Sequence, residues 1–295
     1  MGRLSPGSHN WLAGIFFASL SLAGLFEPAR AAISVSNENP KQGQTVEVSL
    51  PRKEQIDSAV SAADLPTLQF NERSYQLFPA KESNGVQSCQ WRVLLSIPAD
   101  LPPGTYVFST GDGKKQINVV DGNFPLQKIR LPKGKDTFEA SPGEEEAVDR
   151  AKELLSPERL WRKHFDLPSA ARISAGFGIK RVVNGKLLPD YTHSGVDFAA
   201  QLGSPVRTCA PGVVVLIGRN WKLHGNLIAI DHGQGVVSFY IHLSKILVKK
   251  GDEVKSGQMI GQVGHSGRAN GPHLHFSLYV NQVATNPCDW FKQLF

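Results

Sequence analysis

Residues 271–280 read GPHLHFSLYV and place His273 and His275 two positions apart in a β-forming segment. Side chains two residues apart on a β-strand point to the same face, so both imidazoles face one side of the predicted sheet. Similar segments, with glycines between or beside them, precede this one at Val206–Thr208, Val213–Ile217, Leu227–Ile230, Gly235–Tyr240, Ile246–Lys249 and Met259–Val263. Strands joined by tight turns, with little helix between them, predict a mostly antiparallel sheet.

A second motif, HSGVD, spans His193 to Asp197. A four-residue step also returns to the same face of an extended strand, so both side chains can face one point. Two histidines and one carboxylate are a common ligand set for catalytic zinc, with the fourth position left to water. Either motif alone is weak evidence, because a single histidine is more often structural. Their coincidence in one β-rich region favours a metal site.

These two motifs, with Tyr240-Ile241-His242-Leu243-Ser244 between them, resemble the lysostaphin-like (LytM) family of peptidoglycan zinc endopeptidases. The family's order of glycines and strands is also seen, as in Gly251-Asp252-Glu253-Val254-Lys255-Ser256-Gly257-Gln258. The resemblance covers about residues 172–290. Residues 32–125 resemble, more loosely, the β-rich module that often precedes this catalytic domain.

The resemblance implies five site residues: His193, Asp197 and His275 as zinc ligands, and His242 and His273 as a catalytic pair beside the metal-bound water. Two positions depart from the family pattern. Ser277 stands where the family often has glutamate, and Cys209 stands where a small residue is usual. His224, His232 and His265 match no ligand position and are expected to be structural or surface residues.

The implied reaction is cleavage of the peptide stems or cross-links of peptidoglycan by a zinc-activated water. The chain has no HExxH motif, in which a glutamate takes the proton in other zinc peptidases. Histidine is the expected proton carrier, because its unperturbed pKa lies near 6.5. Either His242 or His273 could be the general base, while the other stabilises the oxyanion. Cross-link D,D-endopeptidase activity is preferred over cleavage of a glycyl-glycine bond.

Three other functions remain open from the sequence. The leading alternative is a catalytically inactive relative that binds and activates another cell-wall hydrolase, although such proteins typically lose ligands. A secreted bacteriolytic toxin is a further alternative. A biotinyl or lipoyl carrier domain is disfavoured, because no lysine adjoins Met259 in the segment that resembles one.

The first 31 residues predict a signal peptide. Arg3 precedes a mostly apolar run of sixteen residues, Trp11–Phe26, and Ala29-Arg30-Ala31 fits the small-x-small cleavage rule. The run is short for a membrane span, which needs about 20 residues. We expect an exported protein of the periplasm or cell envelope, without stable membrane insertion after cleavage. An uncleaved N-terminal anchor is the alternative.

The mature chain is predicted to be mostly β and to have three parts. Residues 32–125 form a β-sandwich-like N-terminal module, 126–165 a short helical connector, and 166–295 an antiparallel β-sheet metallopeptidase domain. In the connector, Ser141-Pro142-Gly143-Glu144 matches a capping box with a serine N-cap. Ala147, Ala151, Leu154 and Leu155 then predict a narrow apolar stripe. The N-terminal half either limits access to the catalytic groove or serves as a spacer or docking module.

The net charge of +6 is concentrated in residues 166–295, which carry 13 basic and 7 acidic residues. This excess suits an anionic partner such as peptidoglycan. Nothing resembles a nucleic-acid-binding motif, so no nucleic-acid partner is expected, and a regulatory protein partner remains unknown. The three cysteines form no CxxC pair, and Cys209 with Cys288 is the preferred disulfide in an oxidising compartment.

Overall fold

The computed structural model of the protein describes residues 32–52, 65–81, 87–111, 113–130 and 139–295. The expected signal peptide at 1–31 lies outside the described residues. Within them, no helix is both long and apolar enough to cross a membrane.

The N-terminal module is a β-sandwich, as predicted. Its two four-stranded sheets have the orders β1-β2-β6-β5 and β4-β3-β7-β8. In β2 the alternation of Val46, Val48 and Leu50 turns these side chains inward, where they pack in one core with Phe70 and Phe108 from the other sheet. The strands are β1 Ser34–Val35, β2 Thr45–Pro51, β3 Thr67–Phe70, β4 Arg73–Gln76, β5 Phe78–Lys81, β6 Gln87–Ser96, β7 Gly104–Ser109 and β8 Lys114–Val119.

The C-terminal domain is dominated by one eight-stranded antiparallel sheet. Its order is β10-β13-β21-β17-β16-β15-β19, with β22 paired to β21. The elements that complete the described chain are β9 Leu126–Ile129, α1 Glu144–Lys152, β10 Ile173–Ala175, β11 Lys180–Val183, β12 Lys186–Thr192, β13 Gly195–Phe198, β14 Pro205–Arg207, β15 Gly212–Gly218, β16 Leu227–Gly233, β17 Val236–Ile241, β18 Leu243–Ile246, β19 Glu253–Val254, β20 Met259–Val263, β21 Leu274–Val280, β22 Val283–Thr285 and α2 Pro287–Trp290.

The central strands β16 and β17 are buried along their whole length because both faces of the sheet are covered. On one face, Trp161, Phe165 and Trp290 form an aromatic cluster with ring centroids 4.9–6.0 Å apart. On the other face, Val148 and Ala151 of α1 pack in a cluster of buried residues that includes Phe239 and Ile241 of β17. Helix α1 therefore belongs to the core of the C-terminal domain.

Strand β9 is the main departure from the predicted connector at 126–165. It pairs in parallel with β11, with Gln127 opposite Arg181 and Ile129 opposite Val183. A strand of four residues with polar members gives little sequence signal, and its partner lies more than fifty residues later. The connector therefore begins inside a sheet of the C-terminal half.

The predicted capping box is only half present. The N-cap of α1 is Gly143, in the left-handed conformation, and not Ser141. The Ser141 hydroxyl instead accepts the Lys222 N–H at 2.9 Å, while the Ser141 N–H donates to the Glu144 carboxylate at 2.7 Å. The apolar stripe was also misplaced. The helix ends at Lys152 and buries Val148 with Ala151, so Leu154 and Leu155 lie beyond it.

Two smaller predictions were wrong. The strand expected at Ile246–Lys249 is β18 and ends at Ile246. The preferred disulfide is absent, because Cys209 and Cys288 are both free. The Cys209 sulfur is fully buried and accepts a hydrogen bond from the Tyr240 hydroxyl at 3.2 Å. Burial raises the pKa of this thiol to about 12, which makes it a structural core residue.

A chain beginning at Asp166 should fail to fold. It would lack β9 and α1, and it would also lack Trp161 and Phe165, each only 1% exposed. Truncating a buried Phe or Trp to Ala costs about 3–5 kcal/mol each, and folded proteins are stable by only about 5–15 kcal/mol. We expect no cooperative thermal transition by circular dichroism.

A folded short chain with the melting temperature of the mature protein would contradict this expectation. Lost activity in such a chain would reflect unfolding and would leave inhibition by the N-terminal half untested. A chain that keeps β9 and everything after it is suited to testing whether the N-terminal half limits access to the cleft.

Candidate metal centre

The register of the central sheet brings the three predicted ligands together. Strands β13 and β21 pair antiparallel, with Asp197 directly opposite His275. His193 lies two residues before β13, and its backbone N–H is held by the Ile179 carbonyl at 3.0 Å. The two motifs, 78 residues apart in sequence, thus meet on one face of one strand pair.

The three ligand atoms form a nearly equilateral triangle. His193 Nε2 lies 3.1 Å from Asp197 Oδ1 and 3.0 Å from His275 Nδ1, and His275 Nδ1 lies 2.9 Å from Asp197 Oδ1. Tetrahedral zinc with ligands at about 2.0–2.1 Å separates neighbouring ligand atoms by roughly 3.3 Å. This cluster is therefore close to the spacing that one metal ion requires.

Hydrogen bonds outside the triangle orient its members. The Nδ1 atom of His193 lies 2.6 Å from the Gly176 carbonyl oxygen, which only accepts, so Nδ1 carries the proton and Nε2 keeps its lone pair. Arg181 donates from Nη2 to the second carboxylate oxygen of Asp197 at 3.1 Å. Asp197 is thereby held in one orientation with Oδ1 in the triangle.

The cluster is in the protonation state that a metal needs. Burial favours the neutral carboxyl of Asp197, but the close contacts of His193 and His275 outweigh it and hold the pKa of Asp197 well below its usual value. Burial lowers the pKa of His275 to about 4, against the opposing effect of Asp197. At neutral pH an ionised carboxylate and a neutral imidazole are therefore available, as metal binding demands.

His242 and His273 stand beside the triangle with matching orientations. The Nδ1 of His242 donates to the Ser266 carbonyl and the Nδ1 of His273 donates to the Gly271 carbonyl, both at 2.8 Å. Each ring therefore keeps an unprotonated Nε2 when neutral. Their ring centroids are 4.8 Å apart, and Nε2 of His273 lies 3.9 Å from Asp197 Oδ1. Burial, with His273 and His275 nearby, lowers the pKa of His242 well below its usual value.

The backbone at His242 is strained. Its φ of 65° lies in the left-handed region, which non-glycine residues seldom adopt and which is common at functional sites. His273, just before β21, pairs with Gly264 in an isolated antiparallel β-bridge. A Cβ at Gly264 would lie 2.6 Å from the His242 carbonyl oxygen. The two loops that carry His242 and His273 therefore meet where only glycine fits.

These residues open onto a cleft of about 410 Å³. Both predicted catalytic histidines line it, together with Asp197 and His275. Gln127 and Ile129 of β9 line it as well, so residues before the connector helix form part of its wall.

Several cleft residues escaped the sequence analysis. Tyr191, two residues before His193, could have been found from strand periodicity alone. Arg181 had no local signal, because its contact with Asp197 depends on how β11 is placed beside the site. His224 was expected to be structural or on the surface, but it lines the cleft. His232 is fully buried and structural, with hydrogen bonds to Pro211 and Ser238.

Comparison with known proteins agrees with this geometry. A sequence model of peptidase family M23 matches residues 191–287. The peptidoglycan DD-endopeptidase ShyA of Vibrio cholerae is 39% identical over 168 residues, which are 56% of this chain and 37% of ShyA. ShyB of the same organism is 37% identical over 174 residues, 58% of this chain and 39% of ShyB. The chain thus spans less than two fifths of the length of these two relatives.

A crystal structure from Pseudomonas aeruginosa shares the overall architecture. It is described as a candidate peptidase M23, is 26% identical, and superposes with a TM-score of 0.58 over 86% of this chain and 95% of that chain. The likeness therefore extends through the N-terminal module as well as the domain that carries the candidate metal ligands.

Proposed function

We propose that this chain is a member of peptidase family M23, and that it is a zinc endopeptidase that cleaves peptide stems or cross-links of peptidoglycan. The observation that carries the proposal is the buried cluster of His193, Asp197 and His275, with two further histidines beside it. The ligand set is complete, which favours an active enzyme over an inactive activator of another hydrolase.

His193, Asp197 and His275 would hold the zinc. The donor set suits this metal, because two imidazoles and one carboxylate leave a coordination position open in a catalytic site. When bound, zinc would lower the pKa of a coordinated water and polarise the scissile carbonyl. The ion pair with Arg181 fixes the orientation of the Asp197 carboxylate for this role.

His242 and His273 would transfer protons and stabilise the developing negative charge. Each offers an Nε2 toward the cleft, and its Nδ1–H is fixed by a backbone carbonyl. His242 is the better candidate for general base, because its lowered pKa keeps it neutral and able to accept a proton at neutral pH. His273 Nε2 lies 3.9 Å from Asp197 Oδ1 and, once it carries a proton, would donate to the oxyanion.

The substrate assignment rests on the relatives and on charge. ShyA and ShyB are named DD-endopeptidases, so cleavage of D,D cross-links is the preferred reaction. The C-terminal excess of basic residues suits the carboxylates of peptidoglycan stems. This substrate would place the protein in the cell envelope, reached through the signal peptide expected at 1–31.

The test is metal analysis combined with digestion of a purified cross-linked muropeptide dimer. We expect about one zinc per chain in protein purified without chelator, and conversion of the dimer to monomers that stops on chelation. A folded, metal-free protein that still cleaves the dimer would refute the metal assignment. A zinc-loaded protein that leaves every muropeptide intact would refute the substrate class.

A further inference from the structure

We propose that His224, the fourth histidine in the lining of the cleft, binds the peptide substrate through Nε2, and that Glu144 is the positioning residue that orients it. This inference rests on the proposed function, since it assumes a peptide substrate. It assigns a role to a residue that matches no ligand or catalytic motif.

The Glu144 side chain is fully buried, yet its carboxylate is well satisfied. Its Oε1 accepts the backbone N–H and the Nδ1–H of His224, both at 2.7 Å. Its Oε2 accepts the N–H of Ser141 at 2.7 Å and of Leu223 at 3.4 Å. Burying a carboxylate is costly unless such bonds compensate, so this arrangement holds His224 in one orientation.

The contact with Glu144 also decides which nitrogen of His224 faces the cleft. The carboxylate accepts a hydrogen bond from Nδ1–H, so a neutral ring has an unprotonated acceptor at Nε2. That Nε2 makes no hydrogen bond within the described part of the chain, and the side chain keeps 20% exposure in the cleft wall. Burial lowers the pKa of His224 despite Glu144, which favours this neutral form.

Backbone hydrogen bonds hold the loop that carries His224. Trp221 and Gly225 exchange two backbone hydrogen bonds of 3.1 Å, and Gly225 has a φ of 69° that suits glycine. The His224 carbonyl accepts the N–H of His242 at 3.2 Å, which ties the loop to the proposed general base. A side chain held this firmly is preorganised to bind a ligand at little further entropic cost.

An acceptor in the wall of a peptidase cleft recognises N–H donors. The matching groups on a peptide stem are a backbone amide N–H or a free amino group. The competing explanation is that His224 only anchors its loop through Glu144. The two nitrogens of the ring separate these explanations, because one contacts Glu144 and the other faces the cleft.

Two substitutions test the two nitrogens separately. In His224→Asn, the side-chain amide can still donate to Glu144 from the position of Nδ1 but offers nothing at Nε2. In His224→Gln, the longer side chain can place an acceptor near the position of Nε2 but loses the Nδ1 donor. His164→Asn, at an exposed histidine outside the cleft, is the matched control.

The cross-linked muropeptide dimer is the probe, and KM and kcat are measured for each protein. For His224→Asn we expect KM to rise about three- to tenfold, the effect of one hydrogen bond, with kcat changed less than twofold. His224→Gln should recover part of the loss, and His164→Asn should match the natural protein. An unchanged KM in His224→Asn overturns the proposal, as does an equal fall of kcat in both His224 variants, which would indicate a loop anchor.

Binding to the His242→Ala protein makes the test independent of turnover. Titration of the dimer should give a Kd about three- to tenfold weaker when His224→Asn is added. This result would support the inference even if no variant cleaved the dimer and the proposed reaction failed. Equal Kd values, or no binding by the His242→Ala parent, would overturn it.

Discussion

Replacing Asp197 by alanine should remove both the bound metal and the peptidase activity. Asp197 Oδ1 contacts both proposed ligand histidines at 2.9–3.1 Å, so its loss removes the one carboxylate of the proposed ligand set that would balance the charge of a dication. The metal supplies several kcal/mol of transition-state stabilisation, and each 1.36 kcal/mol is tenfold in rate. Turnover of the muropeptide dimer should fall by at least about 10³-fold. Zinc content by elemental analysis should fall from about one per chain to near zero.

His193→Ala should give the same result, because it removes Nε2, another atom of the ligand triangle. Removing Asp197 also leaves Arg181 buried without its carboxylate, which can destabilise the fold by about 3–5 kcal/mol. Circular dichroism must therefore show a folded variant, and Asp252→Ala, outside the cleft, serves as the control. Full zinc content in folded Asp197→Ala would mean that the ligand set is wrong.

His242→Ala should keep the metal and lose most of the turnover. His242 is not part of the ligand triangle, but it lines the cleft and burial lowers its pKa well below the usual value. A general acid or base contributes about 10²–10⁴-fold to the rate. We expect kcat to fall by that factor, with zinc content unchanged. The measurement is steady-state kinetics alongside elemental analysis of the same preparation.

His265→Ala is the matched control for this substitution, because His265 is an exposed loop residue that does not line the cleft. It should retain natural activity and zinc. Loss of zinc from His242→Ala would place His242 among the ligands instead. A kcat within a few-fold of the natural protein would remove it from the chemistry.

The backbone conformation at His242 restricts which residues can replace it. Its left-handed φ and its close approach to Gly264 hold the ring toward His273. Alanine also disfavours this conformation, so part of any loss can come from the loop. Comparing His242→Ala with His242→Asn, which tolerates positive φ better, separates the loss of the imidazole from the strain.

What the sequence determined was local in origin. Strand periodicity alone put His273 with His275, and His193 with Asp197, on common faces, because the side-chain repeat of a strand is two residues. The same repeat, with the turn residues between strands, predicted the β-sandwich and the long strands β15, β16, β17, β20 and β21. Resemblance to a family then connected the two motifs, which no periodicity could do across the 78 residues between Asp197 and His275.

Only the tertiary structure decided contacts between distant segments. The pairing of β9 with β11, the ion pair of Arg181 with Asp197, and the Glu144–His224 contact join residues 16 to 80 positions apart. None has a local pattern, because each depends on where the chain returns in space. Ser141 shows the same limit. The capping pattern is present in the sequence, but the Ser141 hydroxyl accepts a hydrogen bond from the N–H of Lys222, 81 residues away. A tertiary hydrogen bond thus replaces the local one.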